Sequence, residues 1–163
     1  MCGIFGAINH PESVKLTYLG LYSLQHRGEE SAGIVSYTGE KAKSYTGMGL
    51  VSDIFDEKIL NDLEGDLAIG HVRYSTTGSS HKKNIQPFFA SHRKGNIAVA
   101  HNGNLTNTAE LHKEMEDSGS IFQTSMDSEI IIHLLAKGKD KNSKDSVVEA
   151  LQKLEGSFSL VMM

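Results

Sequence analysis

The apolar positions of this chain come in short runs separated by glycine and polar clusters, so strands are expected to dominate its first two thirds. Residues 2–8, Cys2-Gly3-Ile4-Phe5-Gly6-Ala7-Ile8, read as a buried strand. Val14, Tyr18, Leu21 and Tyr22 then follow the i, i+4, i+7, i+8 spacing of a helix. Gly28 is expected to stop that helix as its C′ residue, with His26 and Arg27 in the last turn, where positive charge suits the helix dipole. Residues 32–37 and 41–45 pattern as a hairpin around Thr38-Gly39, Gly47 and Gly49 open a further turn, and residues 54–63 form a short helix. The two clearest interior strands are 66–74 and 95–101, which are apolar with few breaks. Residues 75–87 between them carry no period and read as a loop.

The second half is more helical. Asn107 and Glu110 have the spacing of a capping box, and Leu111 and Met115 continue a helix to about Asp117. A helix opening over 124–129 carries Ile130, Ile131, Ile132, Leu134 and Leu135 on more than one face, the mark of a well-buried element. Residues 137–144 read as a charged connection, Ser146 with Glu149 as a second capping box, and Gly156 as the stop of that helix. Phe158, Leu160 and Met162 then alternate as in a strand, and the sequence stops inside it, so the chain is expected to be a piece of something longer. Strand-rich ends around a helical middle fit a layered α+β domain better than a regular βαβ alternation.

Composition removes several function classes. With 39% hydrophobic residues, 163 residues suit one domain with its own core, and no apolar run approaches the ~18 residues of a membrane span. A net charge of −4 gives no overall attraction to nucleic acid or to a membrane surface. The start lacks the basic flank and apolar stretch of a secretory signal, and a single cysteine excludes an internal disulfide framework, so a cytoplasmic setting is expected. The histidines include no i, i+4 pair, and one cysteine offers no zinc spacing, so no metal is expected in this chain. Neither G-x-x-x-x-G-K-S/T nor a strand-bounded G-x-G-x-x-G is present, so nucleotide binding is unsupported.

The one cysteine lies directly after the initiator methionine, which is readily removed before a small residue. Removal would leave Cys2 with a thiol and a free α-amino group, a nucleophile and a base on one residue. Thiols ordinarily titrate near ~8.5 and α-amino groups near ~8, so such an amine is matched to drawing off a thiol proton. The plainer alternative is a small buried core residue.

Five ordered motifs carry a resemblance. Cys2-Gly3-Ile4-Phe5-Gly6, Gln25-His26-Arg27-Gly28-Glu29-Glu30-Ser31-Ala32-Gly33, Gly70-His71-Val72-Arg73-Tyr74-Ser75-Thr76, His101-Asn102-Gly103-Asn104-Leu105 and Asp127-Ser128-Glu129 resemble those of class II, N-terminal-nucleophile glutamine amidotransferases. Within that family the likeness is greatest to the glutaminase domains of glutamine phosphoribosylpyrophosphate amidotransferases. Glu29 and Met126 depart from the residues usual at their positions. The resemblance implies the Ntn-hydrolase fold, a four-layer αββα sandwich with two antiparallel sheets between helical layers. It also implies that residues 1–163 are a glutaminase domain incomplete at its C-terminus. A C-terminal phosphoribosyltransferase domain of the same polypeptide would use the ammonia to make 5-phosphoribosylamine, the first committed step of purine synthesis. By the same resemblance the substrate is glutamine, the assembly a homo-oligomer, and magnesium and an iron–sulfur cluster belong to the C-terminal part, with no cofactor in this chain.

In the implied chemistry the Cys2 thiolate attacks the side-chain amide carbon of glutamine, the tetrahedral oxyanion collapses to a glutamyl thioester with loss of ammonia, and water hydrolyses the thioester. The Asn102 side-chain amide and the Gly103 backbone N–H would hold the oxyanion. Arg73 would take the α-carboxylate, Asp127 the α-ammonium, and Thr76 would add a hydroxyl contact, with Arg27 and Gly28 lining the nucleophile's side. Plainer roles stand beside these: Asn102-Gly103 is a strong hairpin signal, Arg73 suits a surface ion pair, Asp127 suits the first turn of a helix, and Arg27-Gly28 suits a helix end. A glutaminase domain of another amidotransferase, such as glucosamine-6-phosphate synthase, and a non-catalytic binding or regulatory domain that retains Met1 also remain open from the sequence.

Overall fold

The computed structural model describes residues 1–74, 82–92, 95–138 and 144–163. Within them the chain runs β1 (Gly3–Ile8), α1 (Ser13–Ser23), β2 (Ser31–Tyr37), β3 (Ala42–Met48), α2 (Val51–Ile54), α3 (Glu57–Asp62) and β4 (Leu67–Arg73). It continues through β5 (Phe88–His92), β6 (Gly95–Leu105), α4 (Thr108–Asp117), α5 (Asp127–Lys137), α6 (Lys144–Gln152) and β7 (Gly156–Met162). All strand pairings are antiparallel, in one sheet ordered β1-β4-β2-β3 and another ordered β5-β6-β7. Helix α1 lies on β1, β4 and β2, while α5 lies on β6 and β5 with α4 and α6 against it. The two sheets face each other through β1, β4, β6 and β7, which completes the αββα sandwich.

Strand alternation distributes the apolar side chains over three cores. Ala32, Ile34, Ala68 and Val72 join Val14 and Leu21 of α1 on the outer face of the first sheet. Val35, Ile69 and Ala98 meet between the sheets, with Phe89 and Val161 packed against them. Val99 and Leu105 join Ile130, Ile131 and Leu134 of α5 in the third core. The inner strands β4 and β6 are covered on both faces over their central residues, which is why they read as nearly unbroken apolar runs.

Several local expectations are corrected. Among the described residues β1 pairs with β4 alone and so lies at the edge of its sheet, with Ile8 67% exposed. α1 ends at Ser23 and a 3₁₀ turn, Gln25–Arg27, follows; Gly28 is extended, with φ −169°, and is no C′ residue. The helix expected over 54–63 splits at Phe55, because Asp56 caps a new one by accepting from the Ile59 N–H at 2.7 Å. Asn107 precedes α4 but does not cap it with its side chain; its amide instead donates to the Lys153 carbonyl (2.8 Å) and accepts from the Glu155 N–H (3.1 Å). Ser146 lies inside α6, and Gly156 opens β7 after a helix that ended at Gln152. Of the expected loops, residues 75–81 and 139–143 lie outside the described residues.

A polar tie crosses the middle of the sandwich. His71 on β4 is fully buried, and its Nε2–H donates to the His101 carbonyl on β6 across 3.0 Å. Desolvation pushes its pKa from 6.5 down to about 3, so the ring is neutral, and a carbonyl partner requires the proton on Nε2. The unfolded chain therefore binds a proton near pH 6.5 that the folded chain refuses until about pH 3. The stability tied to this group is fully present above pH 6.5 and is lost as pH falls toward 3, by roughly 1 kcal/mol per pH unit. His71→Gln, which keeps a donor near the Nε2 position, should flatten this slope between pH 5 and 6.5 in urea titrations. An unchanged slope would remove His71 as its source.

Candidate active site

Gly3 of β1 pairs with Val72 of β4, so one step further the register brings Cys2 to the open end of the sheet beside Arg73, the last residue of β4. The C-terminal part of β6 and the start of α5 reach the same place. Together they form an open cleft of about 670 Å³ lined by Cys2, Arg73, Gln86, His101, Gly103 and Asp127, and extending along α4 to His112 and Glu116.

The loop after α1 holds the Cys2 backbone, and neither Arg27 nor Gly28 is among the residues that line the cleft. Arg27 donates its Nε–H to the Cys2 carbonyl at 3.0 Å. Gly28 packs on the peptide that leaves Arg73, where an added Cβ would stand 2.6 Å from the carbonyl oxygen, so a side chain is excluded by close approach. Both residues thus support Cys2 and Arg73 from behind.

Arg73 and Asp127 place opposite charges on the cleft. Arg73 Nη1 donates to Glu30 Oε1 at 3.1 Å, with the two side chains 14% and 10% exposed, so the surface ion pair expected as its plainer role is in fact buried. The Glu30 N–H also donates to the Arg73 carbonyl, and Glu30 Oε2 is buried without a partner among the described residues. The carboxylate thus fixes one edge of the guanidinium and leaves the rest toward the cleft. Asp127 is the first residue of α5, where a negative charge suits the helix dipole. Its Oδ1 accepts from His101 Nδ1–H at 3.1 Å.

The Asn102-Gly103 pair is not a hairpin turn. Both residues lie inside β6, opposite Ser159 and Phe158 of β7. Gly103 lines the cleft, whereas Asn102 is half-buried and is not among the lining residues. Thr76 lies outside the described residues. Among the described residues no three His, Cys, Asp or Glu side chains gather as a cation site, and no helix is long and apolar enough to cross a membrane.

A family model described as a glutamine amidotransferase domain matches residues 71–163. The chain belongs to the class II glutamine amidotransferase family. It is 52% identical over 162 residues to amidophosphoribosyltransferase 3, chloroplastic, of Arabidopsis thaliana, covering 99% of this chain and 30% of that protein. A solved structure described as the allosteric regulatory enzyme of purine biosynthesis superposes with a TM-score of 0.93 at 42% identity, over 100% of this chain and 35% of that one. The glutamine phosphoribosylpyrophosphate amidotransferase of B. subtilis, solved with ADP and GMP, gives 0.91 at 40% identity over the same shares. This amidotransferase chain spans about a third of the length of these relatives.

Four polar residues support the candidate site without having been singled out from the sequence. Glu30 braces Arg73, and His101 braces Asp127. Gln86 Oε1 accepts the His101 backbone N–H at 2.8 Å. Glu129, almost fully buried, accepts from the Gln123 N–H, the Thr124 N–H and the Thr124 hydroxyl at 2.7 to 2.8 Å, which ties down the segment that carries Ser125 and Met126 into the cleft. Glu30, His101 and Glu129 all stood inside the recognised motifs, but nothing in a local pattern says which strand or loop each will meet.

Proposed function

We propose that this domain hydrolyses glutamine to glutamate and ammonia through a thioester on Cys2. In the whole protein the ammonia would pass to a phosphoribosyltransferase domain that makes 5-phosphoribosylamine from phosphoribosyl pyrophosphate, the first committed step of purine synthesis. The observation that carries the first half is one cleft lined by Cys2, Arg73 and Asp127 together. A guanidinium and a carboxylate suit the zwitterionic α-carbon of an amino acid, and the thiol is left for its side-chain amide. The second half rests on the named activity of the Arabidopsis thaliana relative.

The chemistry sets requirements on these residues. Met1 must be removed first, because a peptide nitrogen has no basic lone pair with which to take the thiol proton. Thiolate attack on the amide carbon forms a C–S bond and places negative charge on the amide oxygen, where the Gly103 N–H is a donor at hand. The Asn102 amide, which is not among the residues lining the cleft, would add a second on turning toward it. The proton taken from the thiol goes to the departing nitrogen, and water then displaces the sulfur to release glutamate. Magnesium and an iron–sulfur cluster would belong to the C-terminal part: a single cysteine does not fit a cluster, and no acidic group of the cation-binding kind is gathered among the described residues. The lone free cysteine supports a reducing compartment for the protein.

Intact mass before and after treatment with a diazoketone analogue of glutamine tests the first half. We expect Met1 to be absent and one adduct to form, and to be lost in Cys2→Ala. Retained Met1 with no adduct would rule the reading out. For the second half, the whole protein should release pyrophosphate from phosphoribosyl pyrophosphate only when glutamine is supplied; amination of a sugar phosphate instead would overturn that assignment.

A further inference from the structure

We propose that His101 is the positioning residue for Asp127, and that through it the site selects a substrate carrying an α-ammonium group. This deepens the reading given above and rests on Asp127 as the ammonium's partner. His101 is held on three sides. Its backbone N–H donates to Gln86 Oε1 at 2.8 Å, its carbonyl accepts from His71 Nε2–H at 3.0 Å, and its ring, 2% exposed, presents Nδ1 to Asp127 Oδ1 at 3.1 Å. The ring's other nitrogen is buried with no partner among the described residues. All of its hydrogen bonding is therefore directed at Asp127, whose side chain remains 24% exposed on the cleft.

The consequence is geometric. An Asp at the first position of a helix has free side-chain torsions, and a flexible carboxylate loses part of its binding energy to being ordered. His101 occupies one oxygen and so aims the other at the ligand. His71 belongs to the opposite sheet, so the position of Asp127 is referred to the same sheet that carries Arg73. The two charged ends of the cleft are thereby set relative to one another.

The test compares glutamine with 4-carbamoylbutanoate, the same amide without the α-amino group, as ammonia donors. His101→Asn presents its amide N–H close to the Nδ1 position and should keep the wild-type KM and preference. His101→Gln, which projects its donor further along the side chain, and His101→Leu, which has none, should raise the KM for glutamine roughly tenfold and lower the preference for glutamine by a similar factor, with kcat within about threefold. If His101→Leu fails to fold, the Asn and Gln variants alone decide the matter. Asp127→Asn is the control. Should it lower the preference while the Gln and Leu variants keep wild-type values, this inference falls and the assignment of Asp127 stands. Should Asp127→Asn itself leave the preference unchanged, the assignment falls and this inference falls with it.

Discussion

Gly103→Ala is expected to cut the rate of glutamine hydrolysis by about 10²-fold or more and to destabilise the fold by roughly 2 to 4 kcal/mol. Gly103 has φ +151°, which side-chain-bearing residues rarely adopt. A Cβ there would press on the Ser157 carbonyl oxygen and stand 2.6 Å from Phe158 Cα. Both obstacles are backbone, so no rotamer change relieves them. Room comes only from pushing β7 away from β6, and among the described residues β7 pairs with β6 alone, so the ladder would open and carry the Gly103 N–H off its line to the proposed oxyanion. Gly156→Ala is the stability match: it is also at positive φ, presses on the same two strands, and sits opposite Leu105, two pairs away. Ammonia release and urea unfolding measured on both variants separate the effects. Equal rates in the two would remove Gly103 from the oxyanion site.

Arg73→Ala should raise the KM for glutamine about 10²-fold, because the α-carboxylate loses a charge-assisted fork. It should also cost about 3 to 5 kcal/mol of stability, since Glu30 would be left as a buried carboxylate with no counter-charge. Among the described residues the other Glu30 oxygen has no partner, so Arg73 is the only counter-charge they offer it. Combining Arg73→Ala with Glu30→Gln should restore most of the stability and none of the substrate affinity. The two roles of Arg73, binding and internal pairing, are thereby read separately in a double-mutant cycle. An unchanged KM in Arg73→Ala would remove it from the substrate site, whatever the stability shows.

Much of the fold was legible where an element's own side chains decide it. β4 and β6 were readable as interior strands because both faces of each meet apolar layers, and α5 as a buried helix because its isoleucines face both its sheet and its neighbouring helices. The hairpin of β2 and β3 announced itself through Thr38-Gly39, where Gly39 has φ +92°. The two capping boxes, read from spacing alone, failed. Asn107 with Glu110, and Ser146 with Glu149, have the spacing of capping boxes, but Asn107 found a better partner in the chain entering β7, and Ser146 fell inside its helix. Gly28 was read as a helix stop, but the glycine is required by the close approach of the Arg73 peptide, which only the fold supplies.

By itself the sequence determined the layered α+β class, the family through its ordered motifs, and the cysteine and charged residues available to an amino-acid substrate. Those follow from local alternation, from residue chemistry and from the order of short motifs. The tertiary structure alone decided that β1 is an edge, that Arg73 is braced by a buried Glu30, that Asn102 and Gly103 lie within a strand, and that His71, His101 and Asp127 form one connected line. Each of these depends on a partner reached through the fold: 43 residues separate Glu30 from Arg73 and 30 separate His71 from His101. Periodicity records whether one side of a strand or helix is apolar; it holds no record of which distant polar group will be waiting there when the layers close.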